Sequence, residues 1–538
     1  MKIPSLNGFL RNRARARLRR QMRGYRSLRK TGDFRRVAAV KEALTITPVF
    51  PSKGDSENFA GLSGKSAEIA VRQFLLVRLV STGLGPALLS SNGKHNAPVV
   101  YPLPRAWRKI LFEQGFEVAE RSSAFLWACV VALHFANGFF VALKLALAST
   151  LHFFRPANNV LKRYVYFDAL GPGNLPLAGG SGKKNDIVSW YLNWPGRAPG
   201  LNTVCHNILS GGIRESEGTA VVPISSPQLP FADSALFVRF LAESIFSIAR
   251  AFWGLMAGRW WYSMMLGETM KATHVRLQVP PLLAQDYLFH NSNWIYRPLW
   301  TYEAERKGAR IIFYFYSTNC EKFKHAGTYP SLAYGWQAMT WPQYLVWDDY
   351  QAVFVRRAVG DAAEVTVVGP ISFHEAAPVP IDLPARSIAV FDVQPMRDAV
   401  YQPMALDTEY YVPRNANSFL MDIQNAAASA ERIMVLKRKR DVGTRVHPHY
   451  ERTTRWLSGV VNCLEVDPDI SAASLIKKSQ AVISMPFTST ALLGREQGKP
   501  SIYYDPHGIC EKDDRAAHGI PILSGKSELK EWFSSLPF

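Results

Sequence analysis

The clearest pattern of apolar and polar residues lies near the C-terminus. Residues 481–484 form a short apolar run, which is followed by Pro486, by three hydroxyl residues and by a helix-like segment that stops at Gly498. A second apolar run covers residues 501–504. Short apolar runs between turn residues predict buried strands, and glycine is a common helix terminator. The pattern therefore predicts a strand–loop–helix–strand unit.

A similar alternation extends upstream through most of the chain. From residue 161 to residue 375 it predicts a helix at residues 299–307 among strands at residues 164–167, 186–190, 275–279, 309–316 and 365–370. Beyond a proline-bearing linker, residues 376–386, it predicts a helix at residues 418–430 between strands at residues 387–391 and 432–436. Such alternation is typical of doubly wound sheets, so we expect an α/β fold with two Rossmann-like domains, residues 161–375 and 387–538, that face a cleft.

The first 160 residues follow a different pattern. Residues 1–44 form a basic arm, in which residues 1–36 carry thirteen Lys or Arg against one acidic residue and so supply +12 of the net charge of +20. Residues 45–160 are expected to be a largely helical region, although its first part, residues 45–105, is rich in Pro, Gly and Ser and predicts loops. A basic arm attracts nucleic acid or an anionic membrane surface, but a solvated tail has the same composition.

Two apolar segments suit a membrane surface. Residues 124–154 are long enough to cross a bilayer, which takes about 20 apolar residues, but Lys144, Asn137 and His134 interrupt them. Because charge is costly inside a bilayer, peripheral contact is favoured over spanning, and a buried helix pair is the alternative. Residues 235–262 predict one amphipathic helix with a wide, aromatic apolar face, for which core packing is the alternative.

The loop between the C-terminal strands carries the candidate chemistry. Thr488, Ser489 and Thr490 open a predicted helix, where hydroxyls and N–H groups favour a phosphate, with an ordinary helix cap as the alternative. A basic run after an upstream strand is either a phosphate clamp that faces this loop or a solvated face. This run consists of Lys437, Arg438, Lys439 and Arg440. Asp505, just past a strand, is a candidate contact to the ribose or sugar of a donor, with a turn as the alternative.

Residues 485–490, Met-Pro-Phe-Thr-Ser-Thr, resemble the signature of the bacterial polysaccharide biosynthesis proteins named after their Pro-Phe-Thr-Ser motif. Residues 498–505 are similar to the same region of GT-B glycosyltransferases, and similar phrases run from about residue 164 to the C-terminus. The resemblance implies a GT-B enzyme that uses a nucleotide sugar as co-substrate, with no permanently bound cofactor and no metal.

Two dipeptides, His447-Pro448 and Thr488-Ser489, are similar in order and spacing to the motifs that hold the nucleotide phosphate in bacterial GT-B transferases using CMP-activated sugars. The resemblance therefore assigns these dipeptides to the donor phosphate.

The acidic motif that supplies the general base of those enzymes is not present. An acceptor hydroxyl must lose its proton as the glycosidic bond forms, so we expect a base among the acids of the first domain. The candidates are Asp186, which follows a glycine-rich loop and is favoured, the pair Asp348 and Asp349, and Glu303.

Together these features predict a glycosyltransferase that transfers a sugar from a nucleotide donor, CMP-linked in one interpretation, to a growing surface polysaccharide or glycolipid. A polyol-phosphate transferase or a nucleotide-sugar epimerase on the same fold is the alternative. A nucleic-acid-binding protein is the non-enzymatic alternative, less favoured because the basic residues are concentrated in one tail. Five dispersed cysteines and a start without a secretory pattern predict a cytoplasmic protein in contact with the anionic inner face of the membrane.

Overall fold

The computed structural model describes residues 16, 20, 23, 34–47, 64–92, 97–154, 161, 163–176, 186–208, 212–291, 296–332, 334–337, 339–373, 382–396, 410–438, 445–468 and 470–537. Within this part of the chain the strands form two sheets, one on each side of the predicted linker. Most of the basic arm and residues 376–381 of the linker lie outside the described residues.

The first sheet has eight strands in the order β3-β4-β2-β1-β5-β6-β7-β8. They are β1 Tyr164–Phe167, β2 Thr203–His206, β3 Arg214–Ser216, β4 Thr219–Pro223, β5 Asp286–His290, β6 Arg310–Tyr314, β7 Gln343–Val346 and β8 Glu364–Val367. Neighbouring strands are parallel except for the antiparallel pair β3 and β4. The strand order reverses between β1 and β5, which opens a crevice at the carboxyl ends of these strands.

The second sheet has six parallel strands in the order β11-β10-β9-β12-β13-β14. They are β9 Ser387–Phe391, β10 Ile433–Lys437, β11 Cys463–Val466, β12 Ala481–Ser484, β13 Ser501–Asp505 and β14 Ile522–Ser524. This is the strand order of a dinucleotide-binding Rossmann fold, with the reversal between β9 and β12. The expected α/β fold with two Rossmann-like domains is confirmed.

The helices of the N-terminal region precede the first sheet and continue between its strands. Those before β1 are α1 Phe34–Ile46, α2 Gly64–Leu75, the π-helix Leu76–Leu84, α3 Gly85–Asn92, α4 Arg105–Glu113 and α5 Glu120–Phe154. Those in the first domain are α6 Ile187–Asn193, α7 Ser234–Met256, α8 Trp260–Met264, α9 Leu266–Leu277, α10 Leu299–Arg306, α11 Tyr334–Gln337 and α12 Asp349–Val359. Those in the second domain are α13 Pro413–Ser429, α14 Pro448–Leu457, α15 Ala472–Lys478, α16 Ser489–Glu496 and α17 Gly525–Ser535.

The N-terminal helices share one hydrophobic core with the first domain. Val37, Leu75 and Trp107 belong to the same buried cluster as the side chains of β1 and β5. The prediction of loops for residues 45–105 was wrong for residues 64–92, which are helical. These helices bury their apolar side chains against the first domain. The free energy of that packing outweighs the local preference of the glycine and serine residues for loops.

Two predicted strands were wrong because they are helices. Residues 186–190 begin α6, and the Asp186 carboxylate caps this helix by accepting from two backbone N–H groups. Residues 275–279 contain the end of α9, which stops before Pro280. Ile187 and Val188 in the first segment and Val275 and Leu277 in the second are buried, and a buried short helix has the same apolar run as a buried strand.

The predicted helix at residues 235–262 is two helices. α7 ends at Met256, and the chain turns at Gly258, whose φ of +77° is the left-handed conformation that glycine adopts readily, before α8 begins. One described helix, α5, is long and apolar enough to cross a membrane, with a mean hydropathy of 1.9 in its most apolar window. The bent pair Glu68–Val80 and Gly85–Ser91 would count as a second candidate only if it formed one span.

Candidate active site

The second sheet brings two sequence segments together at its carboxyl edge. Phe391 of β9 lies in register with Ser484 of β12, and the Met485 N–H donates to Phe391 O at 2.8 Å. Asp392 and the loop that starts at Met485 therefore leave the sheet side by side. Because the strand order reverses here, this is where an open α/β sheet binds its ligand.

The loop from residue 485 to residue 490 is held by its own hydroxyls. Thr488 Oγ1 donates to Met485 O at 2.9 Å, and Thr490 Oγ1 lies 2.8 Å from Ser484 Oγ. Thr488 occupies the N-cap position of α16, but its side chain makes no capping hydrogen bond. The first N–H groups of α16 thus receive no acceptor from the Thr488 side chain, although the Ala491 N–H donates to Thr488 O at 3.4 Å. The N–H groups of a helix's first turn are the donors that bind anions at helix N-termini.

This loop also contacts the first domain. Ser489 Oγ lies 3.0 Å from Thr318 Oγ1, which belongs to the segment after β6. Phe487 has a φ of +63°, and its ring packs on Phe323 of the first domain with ring centroids 4.7 Å apart. The predicted phosphate loop is therefore part of the boundary between the two domains.

The predicted basic clamp follows β10. The Lys437 ammonium donates to a backbone carbonyl after β11 at 3.0 Å, and Arg438 forms an ion pair with Glu465. Lys439 and Arg440 lie outside the described residues. Lys437 and Arg438 are thus bonded within their own domain, and a contact of this run with phosphate stays a prediction.

The His-Pro dipeptide begins α14. His447 is the N-cap residue, Pro448 is the first residue of the helix, and His447 Nδ1 accepts from the His449 N–H at 3.2 Å. A neutral imidazole in this arrangement carries its proton on Nε2. One turn further along α14, the Tyr450 hydroxyl donates to Asp392 Oδ2. α14 therefore connects the His-Pro dipeptide to the strand-order reversal.

Asp392 is a site residue that was not predicted from the sequence. Its side chain is 2% exposed, and burial raises its pKa to about 6, although the Tyr450 hydroxyl and the positive charge of Arg438 act to lower it. Among the described residues no group donates to its Oδ1. A signal was present, because Asp392 directly follows the predicted strand at residues 387–391.

Asp505 ends β13 with a buried carboxylate. It accepts from the Tyr410 hydroxyl at 3.0 Å, from the His507 N–H at 3.2 Å and from the Cys510 N–H at 2.6 Å. These bonds fix the loop that follows β13. Its proposed contact with the ribose or sugar of a donor stays a prediction.

Asp186 is the buried N-cap residue of α6. Its Oδ1 accepts from the Val188 and Ser189 N–H groups at 2.9 and 3.1 Å. Burial nevertheless raises its pKa above the ordinary value. A carboxylate with a raised pKa suits a general base. The catalytic role of Asp186 stays a prediction. The glycine-rich loop before Asp186 lies outside the described residues.

Asp348 joins the two domains. This N-cap residue of α12 lies 2.8 Å from His518 Nδ1 and 3.2 Å from Arg495 Nη2, both in the second domain. Burial acts to raise the pKa of Asp348, but the bonds to His518, Gln351 and Arg495 outweigh burial and lower it. A lowered pKa makes a weaker proton acceptor. Asp349 is exposed in the first turn of α12, and the catalytic role of both residues stays a prediction.

Further contacts join the carboxyl edges of the two sheets. The Lys324 ammonium, in the segment after β6, lies 2.6 Å from Asp513 and 3.2 Å from Glu511, both in the loop after β13. In the same region the Arg515 N–H donates to the Tyr329 hydroxyl at 2.8 Å. The two ligand-binding edges therefore face each other across one cleft.

The strand-order reversal of the first sheet places Asp168 and His290 together. Asp168 follows β1 and is 8% exposed, and His290 ends β5 and is 4% exposed. His290 Nε2 lies 3.1 Å from Ala169 O; because a carbonyl only accepts, Nε2 carries the proton. Burial lowers the pKa of His290, which keeps the imidazole neutral but makes it a weaker proton acceptor than an exposed histidine. Neither residue was predicted from the sequence, although Asp168 directly follows the predicted strand at residues 164–167.

Two Rossmann-like domains with facing ligand-binding edges define a GT-B-like protein. Within the described residues no group of three His, Cys, Asp or Glu side chains is arranged to hold a metal ion. The model of the family described as "Polysaccharide biosynthesis PFTS motif protein" matches residues 244–533, which is more than half of the chain. The chain belongs to this family and to polysaccharide biosynthesis, and residues 486–489 are its Pro-Phe-Thr-Ser motif. The resemblance seen in the sequence is confirmed.

Several solved structures are similar to the chain at low identity. The UDP-GlcNAc 2-epimerase from Methanocaldococcus jannaschii is 5% identical over 69% of this chain and 92% of that chain, with a TM-score of 0.35. The wall teichoic acid polymerase TagF, in its H548A form, is 10% identical over 74% and 89%, with a TM-score of 0.37. The glycosyltransferase SnogD from Streptomyces nogalater is 14% identical over 70% and 96%, with a TM-score of 0.33. These likenesses are too distant to assign an activity. No curated protein matches the chain.

Proposed function

We propose that this protein is a glycosyltransferase that transfers a sugar from a nucleotide-activated donor, with a CMP-linked sugar as the first candidate, to a growing surface polysaccharide or glycolipid. The observation that carries the proposal is the contact of the hydroxyl-rich loop before α16 with the first domain, through the 3.0 Å approach of Ser489 to Thr318. A cleft between two such edges holds a donor on one domain against an acceptor on the other, and this positioning removes much of the entropic barrier to the reaction.

The donor phosphate lies, in this proposal, at the N-terminus of α16 beside Thr488, Ser489 and Thr490. When the bond between the anomeric carbon and the phosphate oxygen breaks, its electron pair stays on the nucleotide. Helix N–H groups, the basic run and the imidazole of His447 are the groups that would stabilise this charge.

The acceptor lies on the first domain. Its hydroxyl oxygen bonds to the anomeric carbon and gives its proton to a base. His290 supports this role because burial keeps it neutral beside the strand-order reversal, and Asp186 because its pKa is raised. Asp348 and Asp349 are the other predicted bases.

The test of the donor site is a thermal shift of the full chain with CMP, CDP, UDP and GDP. A ligand that binds only the folded state stabilises it, by about 2.7 kcal/mol at a hundredfold excess over Kd, and therefore raises the melting temperature. Ser489→Ala and His447→Ala each remove a phosphate partner worth about 1–3 kcal/mol, so each should weaken binding by about 5- to 150-fold. Ser534→Ala is the matched control, since this hydroxyl bonds within α17 to Lys530 O.

The nucleotide that stabilises the protein separates the alternatives. CMP supports a CMP-sugar donor, CDP favours the polyol-phosphate transferase, and UDP or GDP redirects the donor search, with UDP also compatible with the epimerase. Unchanged affinity in both variants would contradict the phosphate assignment. Loss of RNA binding on deletion of residues 1–36, with nucleotide binding intact, would show that the arm is a separate module.

We also propose a peripheral position at the cytoplasmic face of the membrane, where an anionic surface suits the basic arm.

A further inference from the structure

Two neighbouring helices, α5 and α7, expose a large set of apolar side chains. The helices touch through Leu145 and Phe240, and the rings of Phe153 and Phe237 lie 5.7 Å apart. We call the following residues the apolar face; each is more than half exposed: Phe125, Leu133, Phe140, Leu147, Leu151 and Phe154 of α5, and Val238, Ile245, Phe246, Trp253 and Met256 of α7. Contiguous exposed apolar surface of this kind marks contact with a membrane or a partner.

The way α5 is attached decides its orientation. Its buried residues run from Ser123 to Ser149, which at 1.5 Å per residue is about 40 Å of helix. Midway, Gly138 packs so closely on Leu266 of α9 that an added Cβ would lie 2.5 Å from the leucine side chain, and near the end Ser149 Oγ accepts from the Phe231 N–H at 3.2 Å. A bilayer core is about 30 Å thick. α5 is therefore attached to the domain over more than this length, and this attachment favours a helix that lies along a membrane surface over one that crosses it.

An open groove adjoins the apolar face. It has a volume of 560 Å³ and is lined by Phe246, Arg250, Trp253, Arg259 and Tyr262 together with small residues. The Arg250 guanidinium donates to the Tyr262 hydroxyl at 3.1 Å and lies 4.9 Å from the centroid of the tyrosine ring. These contacts fix a cation at an apolar groove, and this combination suits a phosphate that is attached to an apolar chain.

The charges of the two helices favour an anionic surface. α5 and α7 each contain a single acidic residue. Glu120 of α5 pairs with Arg108, and Glu243 of α7 pairs with Arg239 at 3.1 Å and with Arg276. The negative charge of each carboxylate is therefore compensated by arginine, and the two helices would repel an anionic bilayer only weakly.

We propose that the apolar face inserts into the interfacial layer of an anionic phospholipid bilayer, with α5 and α7 in the membrane plane, and that the groove at Arg250 receives a lipid phosphate. This inference rests on the peripheral position proposed above and is independent of the donor nucleotide. Aromatic side chains such as Phe246 and Trp253 favour the boundary between headgroups and acyl chains.

The experiment measures binding of the full chain to phosphatidylcholine vesicles with and without phosphatidylglycerol. At about 1 M salt the Debye length is about 3 Å, so the basic arm contributes little and insertion of apolar side chains dominates. The double substitution Phe246→Ser and Trp253→Ser should lower the partition coefficient at least about tenfold. Trp456→Ser is the matched control, because this tryptophan is 51% exposed on α14 in the other domain.

A second pair of variants tests the groove at low salt. Arg250→Gln should reduce the preference for vesicles with phosphatidylglycerol about fivefold, since one cation near the surface is lost. Arg239→Gln, whose cation is paired with Glu243 on the same helix, should change it less. An unchanged midpoint of thermal unfolding shows that the variants are folded. This control holds whether or not a nucleotide binds, so failure here is distinguishable from failure of the proposed function.

Three results would overturn the proposal. They are no vesicle binding at high salt, vesicle binding that the double substitution leaves unchanged, and a dimer in solution that the double substitution dissociates, which would show that a second copy covers the apolar face.

Discussion

Replacing Asp392 by asparagine is expected to stabilise the protein above about pH 6. Burial raises the pKa of this carboxyl from 3.8 to about 6, and one pKa unit corresponds to about 1.4 kcal/mol, so ionising Asp392 in the folded protein costs up to about 3 kcal/mol at neutral pH. Its contribution to stability is fully present below about pH 3.8 and is lost as the pH rises through about 6. Asparagine keeps an acceptor for the Tyr450 hydroxyl and does not ionise.

The assay is urea unfolding of the wild type and of Asp392→Asn between about pH 4 and pH 8. The difference in the free energy of unfolding should be small at the acidic end and should grow to about 2–3 kcal/mol in favour of the variant at the alkaline end. Asp422→Asn is the matched control, because Asp422 also accepts from a tyrosine hydroxyl, that of Tyr504 at 3.0 Å, but is paired with Lys526 at 3.3 Å. This control should gain no stability.

A variant that is less stable than the wild type at pH 8 would refute the reasoning, since it would mean that the ionised carboxylate is compensated by its surroundings. The same substitution should also strengthen nucleotide binding above about pH 6, because it removes a negative charge from the crevice proposed for the donor phosphate.

Two further predictions concern the domain boundary and the helix after the motif. Asp348→Asn removes the ionic partner of Arg495 and weakens the contact with His518. It should weaken the interdomain contact by about 1–3 kcal/mol, seen as a larger radius of gyration in X-ray scattering; unchanged scattering would contradict this. Because the pKa of Asp348 is lowered, its contribution is lost as the pH falls below about 4. Gly494→Ala places a Cβ 2.8 Å from Val482 and should lower stability by about 1–3 kcal/mol in thermal melts, whereas Gly459→Ala, whose nearest neighbour is 3.5 Å away, should not.

The sequence predicted the second domain better than the first. The strands at residues 387–391 and 481–484 are apolar apart from one serine at an end of each, and the structure has them at those bounds. In the first domain, residues 186–190 have the same apolar composition but are a helix, because the Asp186 carboxylate satisfies the first N–H groups of α6. A run buried on all sides has no period that separates a helix from a strand, so capping and packing decided the outcome.

The candidate site was predictable only in its local parts. The motif at residues 486–489 and the His447 dipeptide are readable in sequence, and their positions at helix N-termini follow from local chemistry. Asp168 and His290 come together only because β1 and β5 are neighbours, and Thr318 meets Ser489 across 171 residues of chain. Strand order and domain contacts depend on the whole fold, which periodicity does not encode.

The left-handed backbone of Phe487 has a thermodynamic consequence. A bulky residue in this conformation costs about 1–2 kcal/mol, and here its ring packs on Phe323 of the opposite domain. The geometry of the loop at residues 485–490 is thus partly maintained by the contact between the two domains. Coupling of this kind is reciprocal. A ligand that requires the loop in this form should draw the domains together, and separation of the domains should lower the affinity for that ligand by the same factor.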